Sequence, residues 1–363
     1  MFNRRETYQN GWRQFWNFGG TSDFIGNYWA PGWQGVNYLS PTGITNLSDN
    51  SQSVDYYRGV LGLRGDLGGS WKFDVYGQYS KSTGKYRSQQ ILQDVYDTGY
   101  FQTSSCVGQV TPISGRQCID LPWADPYFLR GELTQAQANF LTDWEEGVTE
   151  YTQITGEASI SGDLLTLPAG PLGLAFGIAG RRDEINDVPG EITRAGNAWG
   201  ASTSGITAGH SMTSEAFAEI NVPVLANTPF FKELTFSAAG RVTNVSVERT
   251  NAMPGLVNED SDNGNWTYKL GANWAINDWI RFRGSYGTSF RAPALFEQFL
   301  ADETSFPSQR SIDICRQWTA ERAAGRISQR IADNCAADGI PGNHPATGVS
   351  ATTISRGGIG ELE

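Results

Sequence analysis

The stretch from Trp279 to Pro293 constrains the fold of this chain more than any other part of it. In an extended strand, successive side chains point to opposite faces, and here they then separate by polarity. One face receives Ile280, Phe282, Tyr286 and Phe290. The opposite face receives Arg281, Arg283, Ser285, Ser289 and Arg291. The same division recurs in one segment after another, which predicts a membrane β-barrel with lipid outside and a wet, charged lumen inside.

The connections between the alternating segments differ regularly in length. About eight such segments form pairs, and the connection within each pair is short. The short connections lie around Gly68, Gly170, Asn227 and Asn277. The long ones lie near residues 84–147, 187–211 and 250–264. Short periplasmic turns and long extracellular loops are typical of outer-membrane barrels. The predicted fold is therefore all-β: an antiparallel up-and-down transmembrane β-barrel segment, incomplete because about eight strands cannot enclose a wide lumen.

The same alternation of segments and connections divides the chain into three predicted regions. Residues 1–53 are predicted to form a surface loop or a partial strand, and residues 54–292 the barrel strands with their extracellular loops. Residues 293–363 are predicted to form a long extracellular loop with a helical hairpin around Gly325. A loop helix is predicted from Thr134 to Glu146, because threonine is a favoured N-cap residue. The dipeptide Asn277-Asp278 predicts a type I′ hairpin turn.

Composition agrees with a barrel and argues against one class of partner. The mean hydropathy is −0.39, although the chain contains 12 Trp, 14 Tyr and 18 Phe residues. Such values are expected when only alternate strand residues face lipid. No apolar run approaches the roughly 20 residues that a membrane helix needs. The net charge of −11 argues against nucleic acid as a partner, because nucleic-acid binding usually requires a basic surface.

The four cysteines form two local pairs, Cys106 with Cys118 and Cys315 with Cys335. Metal sites usually use tighter spacings, and the two histidines lie far apart in the sequence. We therefore predict no metal site and two disulfides in extracellular loops. Disulfides imply an oxidising compartment such as a periplasm or a cell surface.

Several short motifs occur in a consistent order between about residues 55 and 300. They are Gly62-Leu-Arg-Gly-Asp-Leu67 followed by Trp71, Leu167-Pro-Ala-Gly170, Glu215-Ala-Phe-Ala-Glu-Ile220 and Tyr286-Gly-Thr-Ser-Phe-Arg-Ala-Pro-Ala-Leu-Phe296. As an ordered set they resemble the barrel of TonB-dependent outer-membrane receptors. The resemblance implies energy-coupled uptake of a scarce nutrient, such as a siderophore, a vitamin or a glycan, across the outer membrane of a Gram-negative bacterium.

Receptors of this kind combine a plug domain with a barrel of about 22 strands. No signal peptide is visible behind Met1, so we expect this chain to be a central piece of a longer barrel protein. The implied partners are outer-membrane lipid, a small extracellular ligand and the TonB energy-transducing complex. The last would act through a plug domain that we expect to lie outside this chain. No cofactor is implied.

Charged residues on the predicted lumen faces are the candidate site. They are Arg58, Arg181, Arg241, Arg281, Arg283, Arg291, Glu157, Glu215 and Glu219. They could line a ligand path or contact a plug, and they could instead pair with one another across strands. An arginine against lipid would cost about 2–4 kcal/mol at the membrane midplane, so both roles require an inward direction. No catalytic constellation is recognisable, and we expect the protein not to be an enzyme.

Two other functions fit parts of the pattern. A passive porin-type channel would be a similar barrel that needs neither a plug nor an energy-coupling partner. A secreted, β-rich carbohydrate-binding protein or adhesin would also be rich in aromatic residues. The alternation of short and long connections argues against the second alternative.

Overall fold

The computed structural model describes residues 1–11, 47–99, 105–122, 125–200, 203–251, 255–305, 312–344 and 353–359. Its main element is an antiparallel sheet of nine strands that follow one another in chain order. They are β1 (Phe2–Gln9), β2 (Asn50–Gly68), β3 (Trp71–Ile91), β4 (Thr142–Leu167), β5 (Gly170–Val188), β6 (Thr207–Thr228), β7 (Phe231–Arg249), β8 (Glu259–Ala275) and β9 (Arg281–Gly287).

Short helices occupy the connections. They are α1 (Gln93–Gly99), α2 (Pro126–Leu129), α3 (Gln135–Leu141), α4 (Glu191–Arg194), α5 (Leu295–Phe299), α6 (Trp318–Ala323) and α7 (Gln329–Ala337). Two further strands, β10 (Glu303–Ser305) and β11 (Thr353–Ser355), pair with each other. Among the described residues, no helix has both the length and the apolar character needed to cross a membrane.

Each strand of the main sheet pairs with its sequence neighbours, and β1 and β9 lie at the two edges. The prediction of an incomplete, up-and-down antiparallel sheet is confirmed. The sheet has one strand more than the alternation indicated, because Phe2–Gln9 pairs with β2 from Tyr57 back to Asn50. Residues 12–46, which belong to the predicted N-terminal loop, lie outside the described residues.

The sheet has one apolar face and one polar face. Directly paired residues of neighbouring strands share a face, so a row across the sheet shows the character of that face. One row consists of Leu63, Val75, Ala158, Ile178, Ala216, Val242 and Trp266. These side chains are not buried within the chain, since Ile178 is 63% and Trp266 73% exposed. An apolar surface of this extent requires cover from outside the sheet.

The connections at one end of the sheet are short, and their geometry follows their sequences. Gly68 and Gly69 form the β2–β3 turn with φ of 109° and 61°, values that glycine adopts without steric cost. The type I′ prediction at Asn277 is wrong. Asn277 does not take a positive φ, and its side-chain Oδ1 instead accepts hydrogen bonds from the N–H groups of Trp279 and Ile280, both at 2.9 Å. The connection between β8 and β9 is therefore longer than two residues.

The strands extend further toward the long connections than the alternation indicated. Residues 84–91 of the predicted first long loop continue β3, and β4 begins at Thr142. The predicted helix from Thr134 to Glu146 therefore ends at Leu141. Thr134 caps it as expected, with its hydroxyl accepting from the N–H of Gln137. Beyond Leu141 the chain pairs with β3 instead, for example Glu145 with Ser88, because a sheet ladder offers backbone partners that a frayed helix end lacks.

The connection between β3 and β4 packs with residues from neighbouring connections around a buried core. Its buried residues are Leu47, Ile91, Leu92, Val95, Tyr96, Cys106, Cys118, Leu121, Phe128, Phe140 and Leu141. The disulfide Cys106–Cys118 lies inside this core. The helical hairpin after β9 contains the second disulfide, Cys315–Cys335, and its helices α6 and α7 flank Gly325, which has a φ of 71°. Both predicted disulfide pairings are confirmed.

Candidate functional site

The polar face carries a chain of hydrogen bonds from β2 to β5. The Arg58 guanidinium donates to Oε1 of Gln78 at 2.6 and 2.9 Å. Gln78 donates to Oε1 of Gln153 at 3.1 Å, and Gln153 donates to Oδ1 of Asp183 at 2.8 Å. These residues are direct or diagonal neighbours in the sheet, so the contacts follow from strand register.

Asp183 ends this chain of hydrogen bonds and is 6% exposed. The Tyr151 hydroxyl donates to its Oδ1 at 2.6 Å. Nε of Arg181 lies 2.7 Å from its Oδ2. A buried carboxylate is costly unless donors of this kind satisfy it. Asp183 is therefore a fixed part of the polar face, with Arg181 held beside it.

Two further clusters pair charges across strands. The Arg241 guanidinium lies 2.9 Å from Oε2 of Glu215, and the Thr243 hydroxyl donates to Oε1 of the same carboxylate at 3.0 Å. Near the short connections, Arg281 lies 2.8 Å from Oε2 of Glu233. The Glu157 carboxylate accepts a hydrogen bond from the Tyr76 hydroxyl at 3.2 Å. These direct contacts favour the alternative that the charged residues pair with one another across strands.

The strand register places most of the candidate residues on one face. Those on the polar face are Arg58, Arg181, Arg241, Arg281, Arg283, Glu157, Glu215 and Glu219. Among the described residues, the side chains of Arg283 and Glu219 have no hydrogen bond or ion pair. Arg291 lies beyond the end of β9, contrary to the alternation, and its guanidinium pairs with Glu297 at 3.1 Å.

After β9 the chain turns back over the polar face. We call residues 291–301 the in-turned segment; it contains α5. Phe299 is fully buried against Ile185, Val245, Val247 and Ile359. Ile185, Val245 and Val247 project from the polar face of the sheet at the end that bears the long connections. A Cβ at position 209 would lie 2.6 Å from the Phe299 ring, so Gly209 leaves the space that this ring occupies.

Arg249 fastens the in-turned segment to the sheet. Its guanidinium donates to the carbonyl oxygen of Phe299 at 2.5 Å and to that of Gln298 at 2.9 Å. The guanidinium carbon also lies 5.9 Å from the centroid of the Phe299 ring, within the range of a cation–π contact. Arg249 is 4% exposed. The segment is thus held by buried, charge-assisted hydrogen bonds as well as by apolar packing.

Carboxylates stabilise both ends of the in-turned segment. Glu297 accepts a hydrogen bond from the N–H of Ala294 at 2.6 Å, and this contact, followed by that of Arg291, holds the pKa of Glu297 below its usual range. At the other end, Asp302 accepts two hydrogen bonds from Arg356, which lower the pKa of Asp302. Both carboxylates are therefore ionised near neutral pH.

Two cavities lie between the in-turned segment and the polar face. The smaller, about 360 Å³, is bordered by Tyr151, Arg181 and Asp183 on the sheet and by Leu295 and Phe296 on α5. The larger, about 760 Å³, lies over β7 and β8. Small-molecule sites typically occupy 300–1,000 Å³. In the described part of the chain, no three His, Cys, Asp or Glu side chains are grouped so that they could hold a metal ion.

Sequence reasoning missed several residues of this region. Asp183 and Glu233 follow the same alternation as the predicted arginines and could have been found from it. Arg249 stands at the end of β7, where alternation alone does not reveal burial. Gln298 and Phe299 lie outside the strands, so their position on the polar face has no periodic signal.

A family model described as TonB dependent receptor-like, beta-barrel, matches residues 2–326. No curated protein and no solved structure matches the chain.

Proposed function

Because the chain belongs to the TonB dependent receptor-like β-barrel family, we propose that it forms part of the wall of an outer-membrane receptor that imports a scarce nutrient. In this proposal the energy for uptake comes from the TonB complex of the inner membrane. The family is one of outer-membrane receptors and transporters, and transport does not require catalysis by the chain. The polar face is the lumen side of the wall, and the apolar face contacts lipid.

The exposed apolar face is the observation that carries this proposal. On β5 it consists of Leu172, Leu174, Phe176 and Ile178, and the charged residues Arg182 and Glu184 follow on the same face. From Leu172 through Gly180 this face of the strand bears no charge, a span of about nine residues, and a tilted strand needs roughly 9–11 residues to cross the hydrocarbon core. A water-soluble protein would leave such a face exposed to solvent at a large cost.

The strand lengths support the direction in which the sheet crosses the membrane. β4 contains 26 residues, so most of its length beyond the apolar band projects toward the long connections. Long loops lie on the extracellular side of outer-membrane barrels. The in-turned segment then lies at the extracellular end of the lumen, where a ligand arriving from the medium would meet it.

A genetic experiment tests the proposal against the passive-channel alternative. In the source bacterium, this gene and the TonB gene are deleted separately. Growth is then compared with siderophore-bound iron, vitamin B12, glycans and peptides as the limiting nutrient. We expect both deletions to abolish growth on the same nutrient. If the deletion of this gene alone impairs growth and the TonB deletion does not, the protein is a passive channel.

A further inference from the structure

The larger cavity, of about 760 Å³, has one wall on the sheet and one on the in-turned segment. The sheet wall consists of Val245, Val247, Asp260, Asp262 and Asn265, and the opposite wall includes Phe290, Pro293, Gln298 and Ile359. Gly358, beside Ile359, is joined to the in-turned segment by a hydrogen bond from its N–H to the carbonyl oxygen of Glu297 at 3.1 Å.

A β-bulge turns two carboxylates into this cavity. Asn265 pairs with Thr243, whereas Asp262 pairs with Val245, so β8 has one residue more than β7 between these positions. The extra residue reverses the alternation. Asp260 and Asp262 therefore share the polar face with Asn265, although in a regular strand they would face the other way. Gly264 lies in the bulge and has a φ of 81°. Its N–H donates to Oδ1 of Asn244 at 2.7 Å.

The cavity presents an excess of negative charge. Within the described part of the chain, neither Asp260 nor Asp262 forms an ion pair or a hydrogen bond through its side chain. Arg291 is the one cationic residue among the lining residues of the described structure, and its guanidinium is already paired with Glu297 at 3.1 Å. A ligand with positive charge would therefore meet carboxylates that are still free to bind it.

Gln298, which also lines the cavity, carries a buried hydrogen-bond acceptor. Gln298 is 3% exposed, and its Nε2 donates to the carbonyl oxygen of Pro293 at 3.1 Å. This contact fixes the orientation of the amide, and Oε1 is left buried with no partner in the described structure. A buried acceptor without a donor is energetically unfavourable. A ligand that donates a hydrogen bond to Oε1 would recover that cost.

We propose that this cavity binds an organic cation, a small solute with ammonium or guanidinium groups. The inference rests on the proposed function in that the cavity then opens to the extracellular medium. The two carboxylates and the amide oxygen of Gln298 accept hydrogen bonds from the cation, and the Phe290 ring adds an aromatic surface to the wall. An organic ligand fits better than a metal ion, because only two carboxylates are available in the described part of the cavity.

Calorimetric titration of the full-length receptor in lipid nanodiscs tests this inference. Spermidine is the cationic probe, citrate the anionic probe and triethylene glycol the neutral probe. We expect spermidine alone to bind, and to bind at least tenfold more weakly at high salt because salt screens the carboxylates. The double variant Asp260→Asn, Asp262→Asn should bind spermidine at least tenfold more weakly. Equal binding of the neutral probe, or unchanged binding by the double variant, would overturn the inference.

Two further variants separate charge from folding. Glu219→Gln removes a carboxylate from the same face outside the cavity, and spermidine binding should not change. Deletion of Asn263 removes the extra residue of the bulge but keeps Asp262 opposite Val245, so both aspartates stay on the polar face and spermidine binding should remain. Heat-modifiable gel mobility verifies that each variant is folded. If Glu219→Gln weakens spermidine binding as much as the double aspartate variant does in a folded protein, the cavity is not the site.

Binding in nanodiscs needs neither TonB nor an energised membrane, which separates this inference from the proposed function. Absent spermidine binding together with TonB-dependent growth overturns the cation inference alone. Intact spermidine binding together with growth that does not depend on TonB overturns the energy-coupled function alone and supports the cation site.

Discussion

The apolar side chains of this molecule have two different environments. In the β3–β4 connection they pack on one another, and Ile91, Leu92 and Phe128 are at most 1% exposed. On the apolar face of the sheet, Leu61 is 84% and Trp266 73% exposed. The first group is stabilised by burial away from water, whereas the second, in the proposed function, is covered by lipid. The comparison predicts that the core around the β3–β4 connection is stable without lipid, whereas the apolar face of the sheet needs lipid or detergent to cover it.

The second disulfide loop sharpens this contrast. The two disulfides close loops with sequence separations of 12 and 20 residues, and loop-closure entropy gives each roughly 3 kcal/mol. The two disulfides are thus expected to stabilise their loops by similar amounts. In the hairpin of α6 and α7, however, the buried residues described are Ala332 and Cys335. The β3–β4 connection has a core in addition to its disulfide, and the hairpin relies mainly on its disulfide.

The largest effect is expected in the core of the β3–β4 connection. Phe128→Ala should lower the free energy of unfolding of this connection by about 3–5 kcal/mol, because it removes a fully buried aromatic ring. Hydrogen exchange of the amides in residues 92–141 measures the change. The effect should be the same in lipid and in detergent.

Val107 is the matched control, since it lies in the same connection and is 68% exposed. Val107→Ala should change the free energy of unfolding by less than about 0.5 kcal/mol. If Phe128→Ala acts only in lipid, the stability of this core depends on the membrane and the contrast with the sheet disappears.

Removal of each disulfide should affect the two loops differently. Replacing Cys315 and Cys335 by serine should unfold the hairpin of α6 and α7, through a loss of about 3 kcal/mol. The same replacement of Cys106 and Cys118 should leave the β3–β4 connection folded but weakened. Limited proteolysis shows which loop becomes accessible, and mass spectrometry of unreduced peptides identifies the links. A link between Cys106 and Cys335 would contradict the structure.

The dependence of the sheet on lipid is tested at two adjacent positions of β9. Phe282 shares the apolar face with Trp274, and Arg283 shares the polar face with Asn273. Phe282→Arg should impair membrane insertion by about 2–4 kcal/mol if the site lies near the midplane. Arg283→Leu should be tolerated. Heat-modifiable gel mobility and folded yield of the full-length protein in lipid measure both effects.

The outcome at these two positions can refute the assignment of the faces. If Arg283→Leu proved the more damaging substitution, the faces would be inverted or Arg283 would belong to an essential network. If neither substitution mattered, the membrane assignment of the apolar face would lose its main support.

The smallest effect concerns pH and the β3–β4 connection. Burial raises the pKa of Asp94, but hydrogen bonds from Ser114, Asn197 and Ile113 outweigh it and leave the pKa below the usual value. A lowered pKa in the folded state adds stability that is fully present above the unfolded pKa of about 3.9. This stability is lost as the pH falls through the folded pKa.

Protection against hydrogen exchange in residues 92–141, measured relative to the intrinsic exchange rates, should therefore fall below about pH 4. Asp94→Asn, which cannot ionise, should remove this pH dependence while the exchange of the sheet amides is unchanged. An unaltered pH profile in the variant would show that another group controls the connection.

Local pattern was sufficient for the strands and for much of the polar face. The alternation predicted the order of β2 to β9, the polar positions of Arg58 and Glu215, and the short and long ends of the sheet, because a strand has a fixed period of two. The disulfides followed from sequence separation alone. The alternation also agrees with the proposed membrane location, since in a membrane barrel only alternate residues of each strand contact lipid.

Tertiary structure decided the features that have no period. The packing of Phe299 over Gly209 depends on contacts between residues far apart in the sequence. The hydrogen bond from Arg249 to the carbonyl oxygen of Phe299 depends on the burial of the Arg249 side chain beneath the in-turned segment. The bulge at Gly264 reverses the alternation of β8, so the sequence pattern alone places Asp260 and Asp262 on the wrong face. Sequence thus determined which residues of each regular strand share the apolar face. Only the folded chain determined where the in-turned segment and the bulge bring side chains together, because both depend on long-range contacts.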